Sequence, residues 1–310
     1  MPSNTYDVVS NNYPAAMKRD VSDIITNISP SDTYLYSNFS KSKATATYHE
    51  WLEDSLGGPR DNAQVEGFPY FTEEVGDRAP LGNYTQIMSR GIHVTKSQEA
   101  SNPIGFRSEM AYQMQKTLKE LAFDCEMALI LQNTQVAGAM GSPGIPRRMG
   151  GLPFWIATNV FDNGGVLRPL TYDMIAIALE ATYSAGGDPK ILVVSPRNKM
   201  VISRFTGGNV KHMRGDESVL KHVIDVIETD FGVLRIVPNR WMPNDHIYGL
   251  SMEYIKKAFF RPFVVDDVAP KIADMHRKNV YGEWTLEMRA EAAHFVIRDL
   301  DGILPAFPNP

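Results

Sequence analysis

Cysteine and long apolar runs are scarce in this 310-residue sequence. Its one cysteine, Cys125, excludes a framework of intrachain disulfides. The first 20 residues lack the apolar core of a signal peptide, and no stretch approaches the roughly 18 uncharged apolar residues that a membrane-spanning helix needs. We therefore expect a soluble protein that is made in a reducing cytoplasm and has no membrane partner.

The sequence also lacks an excess of basic residues. It has 31 Lys and Arg against 36 Asp and Glu, which gives a formal net charge of -5 and an isoelectric point near 5.8. Proteins whose main task is to grip nucleic acid neutralise its phosphates with clustered Lys and Arg. This balance predicts that any contact with DNA is weak and non-specific, whereas a hydrophobic content of 43% is sufficient for a sizeable core.

A zinc-protease motif is nearly present and is the first candidate for chemistry. The stretch "YHEWLE", Tyr48 to Glu53, would read H-E-x-x-H if a second histidine stood at Glu53. On a helix, positions i and i+4 share a face, but on a strand they are about 13 Å apart, too far for one ion to reach both. The preceding "ATATY" favours a strand. Our interpretation is therefore a half-exposed strand and not a damaged zinc site.

Other signatures of catalysis or cofactor binding are also missing. The glycine-rich loop 138–153 lacks the Gly-Lys-Ser/Thr ending of a phosphate-binding loop, and it follows a helix where such a loop should follow a strand. Cys125 lies on the apolar face of a predicted helix, which favours core packing over a role as a nucleophile. The seven histidines show no metal-ligand spacing. We expect no catalytic residue, metal or cofactor; an enzyme with an unrecognised site is the less favoured alternative.

An extended two-stranded arm is predicted over residues 43–98. The stretches "KATATYHEW" and "YTQIMSRGIHVT", Tyr84 to Thr95, are rich in β-branched and aromatic residues and indicate two long strands. The segment between them is rich in Gly, Pro and acidic residues and is too long for a tight turn. The residues before the two-stranded arm, 1–42, are predicted to form a separate, polar N-terminal arm. One short helix is predicted within it, in "RDVSDIITNIS".

A long helix is predicted over residues 104–133. Apolar residues recur at steps of three or four and form one stripe along it. The stripe consists of Phe106, Met110, Met114, Leu118, Leu121, Cys125 and Ala128. Pro103 is suited to its first turn, where a missing N–H costs nothing. At 1.5 Å per residue the helix would be about 45 Å long, well above the mean for globular proteins.

The second half alternates shorter elements, which predicts a compact α/β domain and makes the fold class α+β. The stretch "TYDMIAIALEATYSAGG" predicts an apolar helix, "KILVVSP" a short buried strand, and residues 198–205 a further helix. Two strands around a turn are predicted in "VIDVIETDFGVLRIVP", and "HIYGLSM" and "KKAFFRPFVV" are further strand candidates. The stretch "GEWTLEMRAEAAHFVIRDL" predicts a long C-terminal strand, although its Ala-rich part is also compatible with a helix.

The predicted two-stranded arm would expose more aromatic surface than a free hairpin can support, because such a hairpin buries too little in water. A neighbouring subunit would supply the missing burial, and it could also bring basic residues to the acidic tip of the arm. The candidate inter-subunit contacts are Tyr48, Trp51, Arg60, Phe68, Tyr70, Phe71, Arg78, Tyr84 and Arg90. We therefore interpret the chain as a self-assembling structural subunit. On this interpretation, Trp51→Ala is expected to impair assembly and to leave the subunit folded and free of metal.

This order of elements resembles the major capsid proteins of tailed bacteriophages, which have the Hong Kong 97-like fold. Two blocks, "DVSDIITNISPSDTYLYSNFSKSKATATYHEWLEDSL" and "GEWTLEMRAEAAHFVIRDL", are similar to those of a phage capsid family often catalogued as of unknown function. The resemblance implies an N-terminal arm (1–42) and an extended loop over an adjacent subunit (43–98). It also implies a peripheral domain with a spine helix (99–170), an axial domain at the centre of each capsomer (171–266) and return strands of the peripheral domain (267–310).

The same resemblance implies a function and partners. The chain would form hexamers and pentamers of an icosahedral or prolate shell around a double-stranded DNA genome. Its partners would be further copies of itself, a portal protein, and scaffold or decoration proteins, with weak contact to the packaged DNA. It would be part of the virion capsid and would assemble in the cytoplasm of a host bacterium. The alternative is an encapsulin-like shell protein of a bacterial nanocompartment, which has the same fold and holds an enzyme cargo.

The extended loop predicts a shell without covalent cross-links. In the type member of the fold, a lysine of this loop bonds to an asparagine of a neighbour, whereas no lysine occurs here between Lys43 and Lys96. A denaturing gel of mature particles is therefore expected to show this chain only at its single-chain mass of 34.7 kDa. A ladder of linked subunits on that gel would contradict the prediction.

Overall fold

The computed structural model describes residues 33–54, 61–67, 78–100, 108–140, 144–205, 226–268 and 274–303. The helix predicted in residues 21–28 and the helix start predicted near Pro103 lie outside these ranges. The helices are Tyr34–Asn38 (α1), Lys96–Ala100 (α2), Glu109–Leu131 (α3), Leu152–Trp155 (α4), Tyr172–Ser184 (α5) and Pro196–Ile202 (α6). None of these described helices is long and apolar enough to cross a membrane.

The strands belong to three separate sheets. They are Ser40–Lys43 (β1), Tyr48–Glu53 (β2), Ala79–Tyr84 (β3), Gln86–Thr95 (β4), Val160–Phe161 (β5), Ile191–Val194 (β6), Val226–Thr229 (β7), Gly232–Pro238 (β8), Ile247–Leu250 (β9), Ile255–Asp267 (β10), Met275–Met288 (β11) and Phe295–Ile297 (β12). One sheet has four strands in the order β1-β10-β11-β4, one has six in the order β5-β12-β9-β6-β8-β7, and one consists of β2 and β3.

Helix α3 has the apolar stripe that the sequence predicts. The stripe residues Met110, Met114, Leu118, Leu121, Cys125 and Ala128 are all buried. The described helix is shorter than predicted, with 23 residues and a length of about 35 Å. It begins where the Ser108 side chain accepts a hydrogen bond from the Ala111 N–H, which satisfies one of the free donors of the first turn.

The four-stranded sheet packs against α3 and forms the larger core. Its centre is the long antiparallel pair of β10 and β11, with β1 parallel to β10 on one side and β4 antiparallel to β11 on the other. Trp284 of β11 is fully buried and meets the Tyr36 ring of α1 edge to face, with 5.3 Å between ring centroids. The short helix α1 is thereby fixed to the sheet and to α3.

The six-stranded sheet carries the second core, and its elements agree with the α/β pattern in the sequence. Helix α5 is capped by Thr171 and ends before Gly186, whose φ of 85° suits a glycine after a helix. Strand β6 is central and buried, between β8 and β9. Helices α5 and α6 cover one face of this sheet with a cluster that includes Ile175, Leu179 and Ile202.

The predicted two-stranded arm is partly correct. Strands β2 and β4 fall where the sequence predicts strands, but their predicted pairing is wrong. Strand β2 pairs with β3, from Tyr48 opposite Tyr84 to Glu53 opposite Ala79, while β4 pairs with β11 in the four-stranded sheet. The sequence "APLGNY" of β3 contains Pro and Gly, which are depleted in strands, so its pattern does not reveal it.

The predicted C-terminal strand is not continuous: it ends at Met288, the Ala-rich part forms a short 3-10 helix in line with the helical alternative, and Phe295–Ile297 is a separate strand. Ala290 has a left-handed φ of 47°, and a 3-10 turn at Glu291–Ala293 carries the chain from β11 into β12 of the six-stranded sheet. The six-stranded sheet therefore takes β5 and β12 from outside residues 171–266, whereas β10, mostly within that range, belongs to the four-stranded sheet. A sheet joins strands by burial and hydrogen bonding in space, and its members do not follow a boundary drawn along the chain.

Candidate subunit interface

The sheet of β2 and β3 has two faces with different surroundings. Side chains alternate between the faces along a strand, so residues paired across the two strands share a face. The inward face carries His49, Trp51, Leu81 and Asn83. The outward face carries Tyr48, Glu50, Leu52, Pro80, Gly82 and Tyr84. We use the names inward face and outward face for these two sets.

Trp51 is buried by its own chain. It is 6% exposed, and its ring lies 5.1 Å from the ring of Trp155 on α4 and 5.9 Å from that of His49. The sequence-based expectation that a free subunit exposes Trp51 for a neighbour to cover is therefore wrong. The reason is that α4, together with the loop before it, lies against the inward face, which the sequence pattern of the arm does not reveal.

Asn83 attaches β3 to the body of the molecule. Its Nδ2 donates hydrogen bonds to the carbonyls of Gly150 and Leu286, both at 2.9 Å, and its Oδ1 accepts one from the Gly150 N–H at 2.8 Å. The side chain is fully buried. Because an unpaired buried amide is costly, this arrangement strongly favours one position of β3 beside β11 and the loop that precedes α4.

A buried carboxylate on β11 holds strands β1 and β2. Glu287 is 1% exposed and accepts hydrogen bonds from Ser42 at 2.8 Å and Arg289 at 2.6 Å, and His49 Nε2 lies 3.1 Å from it. Burial by itself would raise the pKa of Glu287, but the hydrogen bonds of His49 and Ser42 and the charge of Arg289 lower it to about 2. The carboxylate is therefore ionised in the folded subunit at neutral pH.

A second buried carboxylate on the same face of β11 holds the connection between β3 and β4. Glu283, also 1% exposed, accepts hydrogen bonds from the Thr85 hydroxyl at 2.6 Å, from Arg147 at 2.5 Å and from Arg261 at 2.9 Å. Thr85 is the one residue between β3 and β4. Glu283 thus fixes the point where the chain leaves the two-stranded sheet and enters the four-stranded one.

Helix α1, which leads into β1 and β2, is held by two buried charged side chains, Glu126 and Lys257. The Glu126 carboxylate accepts hydrogen bonds from the N–H groups of Leu35 at 3.0 Å and Tyr36 at 2.7 Å. The Lys257 ammonium donates to the Tyr36 carbonyl and lies 4.5 Å from the centre of its ring. Burial raises the pKa of Glu126 to about 6 and lowers the pKa of Lys257 to about 8. Segment 33–43 is therefore tied to α3 and β10.

The outward face is open among the described residues and mostly apolar, with the exposed Glu50 as its one charged side chain. Leu52 is 62% exposed, Pro80 is exposed, and the rings of Tyr48 and Tyr84 lie 4.6 Å apart and are half-buried. Gly82 lies beneath the Tyr48 ring, and a Cβ at this position would lie 2.6 Å from that ring and displace it. Of the sequence-predicted contacts, Tyr48 and Tyr84 thus lie together on a surface that another copy could cover.

The remaining predicted contacts lie apart from this surface. Arg78 pairs with Asp54 at 3.4 Å, and Arg90 pairs with Asp124 at 2.7 Å and Glu120 at 2.6 Å, so both have carboxylate partners in their own chain. Their contact with a neighbour stays a prediction. The candidates Arg60, Phe68, Tyr70 and Phe71 lie outside the residues that the structure describes.

The near-zinc motif and Cys125, the two candidates for metal binding or catalysis, both take part in packing or hydrogen bonding within the fold. His49 and Glu53 lie on strand β2, as predicted, and His49 contacts a carboxylate that three donors share. Cys125 is fully buried, its Sγ lies 3.3 Å from Met88 Sδ, and burial raises the pKa of its thiol. The described ranges contain no group of three or more His, Cys, Asp or Glu side chains that could hold a metal ion.

The sequence pattern does not reveal the residues that fix α1 and the two-stranded sheet in place, Asn83, Glu126, Glu283 and Glu287. A signal exists for two of them. Along "GEWTLEM", Glu283, Thr285 and Glu287 alternate with Trp284, Leu286 and Met288, so one face of β11 is polar. A polar strand face is normally exposed to solvent. Only the structure shows that it is buried here, because residues distant in the sequence donate hydrogen bonds to its carboxylates.

Trp51→Ala is expected to lower the free energy of unfolding of the unassembled subunit by about 3 kcal/mol, because it removes a buried ring from its contact with Trp155. The control is Leu52→Ala at the next, exposed position, with an expected change of less than about 0.5 kcal/mol. Urea denaturation of the unassembled chain measures both. A Trp51→Ala subunit as stable as wild type would show that the inward face is not packed as described.

Glu287→Gln is expected to lower the free energy of unfolding at pH 7 by roughly 2 kcal/mol, because the neutral amide is a poorer partner for Ser42 and Arg289. The pKa of Glu287 in the fold lies below its ordinary value of 4.5, so its contribution is present above pH 4.5 and is lost as the pH falls towards 2. The stability difference between wild type and variant should therefore shrink over that range.

Urea denaturation at a series of pH values tests this pH dependence, with the exposed Glu50→Gln as the control on the neighbouring strand. A difference between wild type and Glu287→Gln that does not change between pH 5 and pH 2.5 would contradict the assignment of an ionised, buried Glu287.

Comparisons with known proteins agree with this architecture. The family model for the SU10 major capsid protein matches residues 1–301. The major capsid protein of Escherichia phage Phieco32 is 22% identical over 87% of this chain and 89% of its own length. Among solved structures, the cyanophage A-1(L) capsid has a TM-score of 0.60 at 13% identity and covers 97% of each chain. The SrpI encapsulin of Synechococcus elongatus has a TM-score of 0.57 at 11% identity and covers 96% of each chain.

The two kinds of comparison carry different weight. The structural likenesses are below 25% identity and establish the fold, which phage capsids and an encapsulin share. The family model covers nearly the whole chain and separates the two. The chain therefore belongs to the SU10 major capsid protein family, and it is a phage major capsid protein with the Hong Kong 97-like fold.

Proposed function

We propose that copies of this chain form hexamers and pentamers of an icosahedral or prolate shell around a double-stranded DNA genome. The outward face of β2 and β3 lies between neighbouring copies in these capsomers. The observation that supports this proposal is a mostly apolar surface, with Glu50 as its one charge, on strands that are fixed to the rest of the subunit. Leu52, Pro80 and the paired tyrosines project from strands that Asn83 and Glu287 fix in place. A surface fixed before binding loses little entropy on association.

The encapsulin-like alternative is less well supported. The SrpI encapsulin has the same fold, and the physics of shell closure does not depend on whether a shell holds DNA or enzymes. The family match and the Phieco32 relative both favour a phage capsid. An enzyme is the third candidate, and no described cluster of side chains favours it.

The remaining features of the proposal concern partners and location. Portal, scaffold and decoration proteins would bind the assembled capsomers, and assembly would take place in the cytoplasm of a host bacterium. The net charge of -5 favours weak contact with packaged DNA, which a shell that fills and empties requires. The two-stranded sheet would belong to the extended loop, the four-stranded sheet with α3 to the peripheral domain, and the six-stranded sheet to the axial domain. The shell would have no covalent cross-links.

Leu52→Asp is expected to reduce the yield of assembled particles at least about tenfold, because it replaces an exposed apolar side chain of the outward face with a second carboxylate beside Glu50. Since Leu52 is 62% exposed in the subunit, the fold should be unaffected, which circular dichroism and thermal unfolding check. Negative-stain microscopy and sedimentation measure the particles.

Val166→Asp is the matched control for this experiment, because Val166 is an equally exposed apolar residue, at 64%, in a loop far from β2 in the sequence. If Leu52→Asp gives particles at the wild-type yield, the outward face is not a contact between subunits. A wild-type chain that stays monomeric at high concentration would overturn the proposed function as a whole.

A further inference from the structure

Three of the described segments that connect the two cores lie side by side, and we call them the junction. They are residues 156–159 from α4 to β5, residues 251–254 from β9 to β10, and residues 289–294 from β11 to β12. The last two each lead from one sheet to the other. They are joined by a backbone hydrogen bond from the Arg289 N–H to the Tyr254 carbonyl at 2.9 Å.

Side chains bind the first of these segments to the third. The Glu291 carboxylate accepts hydrogen bonds from the N–H groups of Ala157 at 2.6 Å and Thr158 at 2.7 Å, and from the Thr158 hydroxyl at 2.6 Å. In the other direction, Asn159 Nδ2 donates to the His294 carbonyl at 3.1 Å. These contacts fix the entry into β5 beside the entry into β12.

His294 binds the second segment to the third. Its ring Nδ1 accepts a hydrogen bond from the Ser251 N–H at 3.1 Å, and the Ser251 hydroxyl donates to the Ala293 carbonyl at 3.1 Å. The His294 side chain is fully buried. The chain after α5 also packs closely here, because a Cβ on Gly187 would lie 2.5 Å from the Ala293 Cα. The ring is therefore enclosed where the two sheets are connected.

This position requires a neutral ring. Since Nδ1 accepts a hydrogen bond, the proton of the neutral ring is on Nε2, which is buried without a full hydrogen-bond partner among the described residues. Burial lowers the pKa of His294 to about 4, and an interaction with the Arg289 backbone, which raises the pKa, only partly offsets this effect. The ring is therefore neutral at pH 7.

The charged side chains on the segments around His294 are bound elsewhere or exposed. Arg289 pairs with Glu287 at 2.6 Å, and Asp188 pairs with Lys190 at 3.3 Å. The Glu291 carboxylate is occupied by residues 157 and 158. The exposed carboxylates of α5 and of the second segment are Glu180 and Glu253. An imidazolium at His294 would thus be buried without a dedicated counter-charge.

We propose that the junction is an acid-sensitive hinge, in which protonation of His294 frees the six-stranded sheet to turn relative to the four-stranded sheet. A proton from the solvent that binds Nδ1 removes the acceptor of the Ser251 N–H and places a second donor opposite it. The buried cation then favours a conformation in which the ring reaches water. Because two connecting segments enclose the ring, that conformation separates them. The hinge belongs to the folded subunit and does not depend on the proposed function.

The direction of the pH dependence follows from the two states of the ring. In the open hinge the ring is solvated and has the ordinary histidine pKa of 6.5, above its pKa in the closed hinge. The closed hinge is therefore fully favoured above pH 6.5 and loses this advantage as the pH falls towards 4. The ratio of open to closed hinge is expected to rise roughly a hundredfold between pH 7 and pH 4.

Hydrogen exchange of the unassembled, full-length chain tests this expectation. Amides in residues 247–256 and 289–297 are expected to lose protection between pH 7 and pH 4, after correction for the intrinsic exchange rates, while the central strand β6 keeps its protection. His294→Asn supplies a side-chain acceptor that does not titrate, so its junction should show no such loss. His276→Asn, at an exposed histidine of β11, is the matched control and should behave as wild type.

A distance measurement tests the turning itself. Spin labels on Ser89→Cys of β4 and Ser184→Cys of α5 report the separation of the two sheets, since both positions are exposed and Cys125 is fully buried. The distribution of distances between the labels is expected to broaden or shift at pH 4 in the otherwise wild-type chain. With His294→Asn added, it is expected to stay as it is at pH 7.

Several outcomes would overturn the hinge. They are unchanged protection of the junction in wild type at pH 4, the same loss of protection in His294→Asn as in wild type, and a loss spread over the whole chain, which is acid unfolding. Should His294→Asn fail to fold, an NMR titration of the seven histidines of the wild-type chain decides. The hinge predicts one ring that titrates near pH 4, and seven rings that titrate near pH 6.5 would contradict it.

Discussion

Two buried carboxylates on β11 determine where the two-stranded sheet stands. Glu283 and Glu287 lie four residues apart on one face of the strand, and each is nearly inaccessible to solvent. Their donors come from strands β1 and β10, the β3–β4 connection and the loop before α4. An ionised carboxylate is tolerated in a protein interior only with such partners, and the loss of one partner leaves an uncompensated charge. The network therefore permits few other positions of β2 and β3, and it makes the outward face a rigid surface.

This constraint separates two tasks within one pair of strands. The inward face, with Trp51 and Asn83, joins the sheet to its own subunit, and the outward face, with Leu52 and the two tyrosines, is the surface that we propose another copy covers.

The sequence predicts the elements of this fold better than it predicts their contacts. Helix α3, helix α5 and strands β2, β4 and β6 follow from periodicity, because each depends on its own residues. The partner of β2 does not, because β3 contains Pro80 and Gly82 and is stabilised by Asn83 through distant carbonyls. Trp51 and Tyr48 look alike in the sequence, and only α4, about 100 residues later, buries one and leaves the other on the outward face. Buried charges such as Glu287 look like ordinary solvated residues until distant segments enclose them.

The central claim is that the outward face is a contact between copies of this chain. A reconstruction of assembled particles by electron cryomicroscopy at side-chain resolution tests it most directly. The account predicts that Leu52 and Pro80 lie within about 4.5 Å of apolar atoms of another subunit, while Trp51 keeps its contact with Trp155 of its own chain. Particles in which the outward face is exposed to solvent, or in which β2 and β3 have left the inward packing, would contradict it.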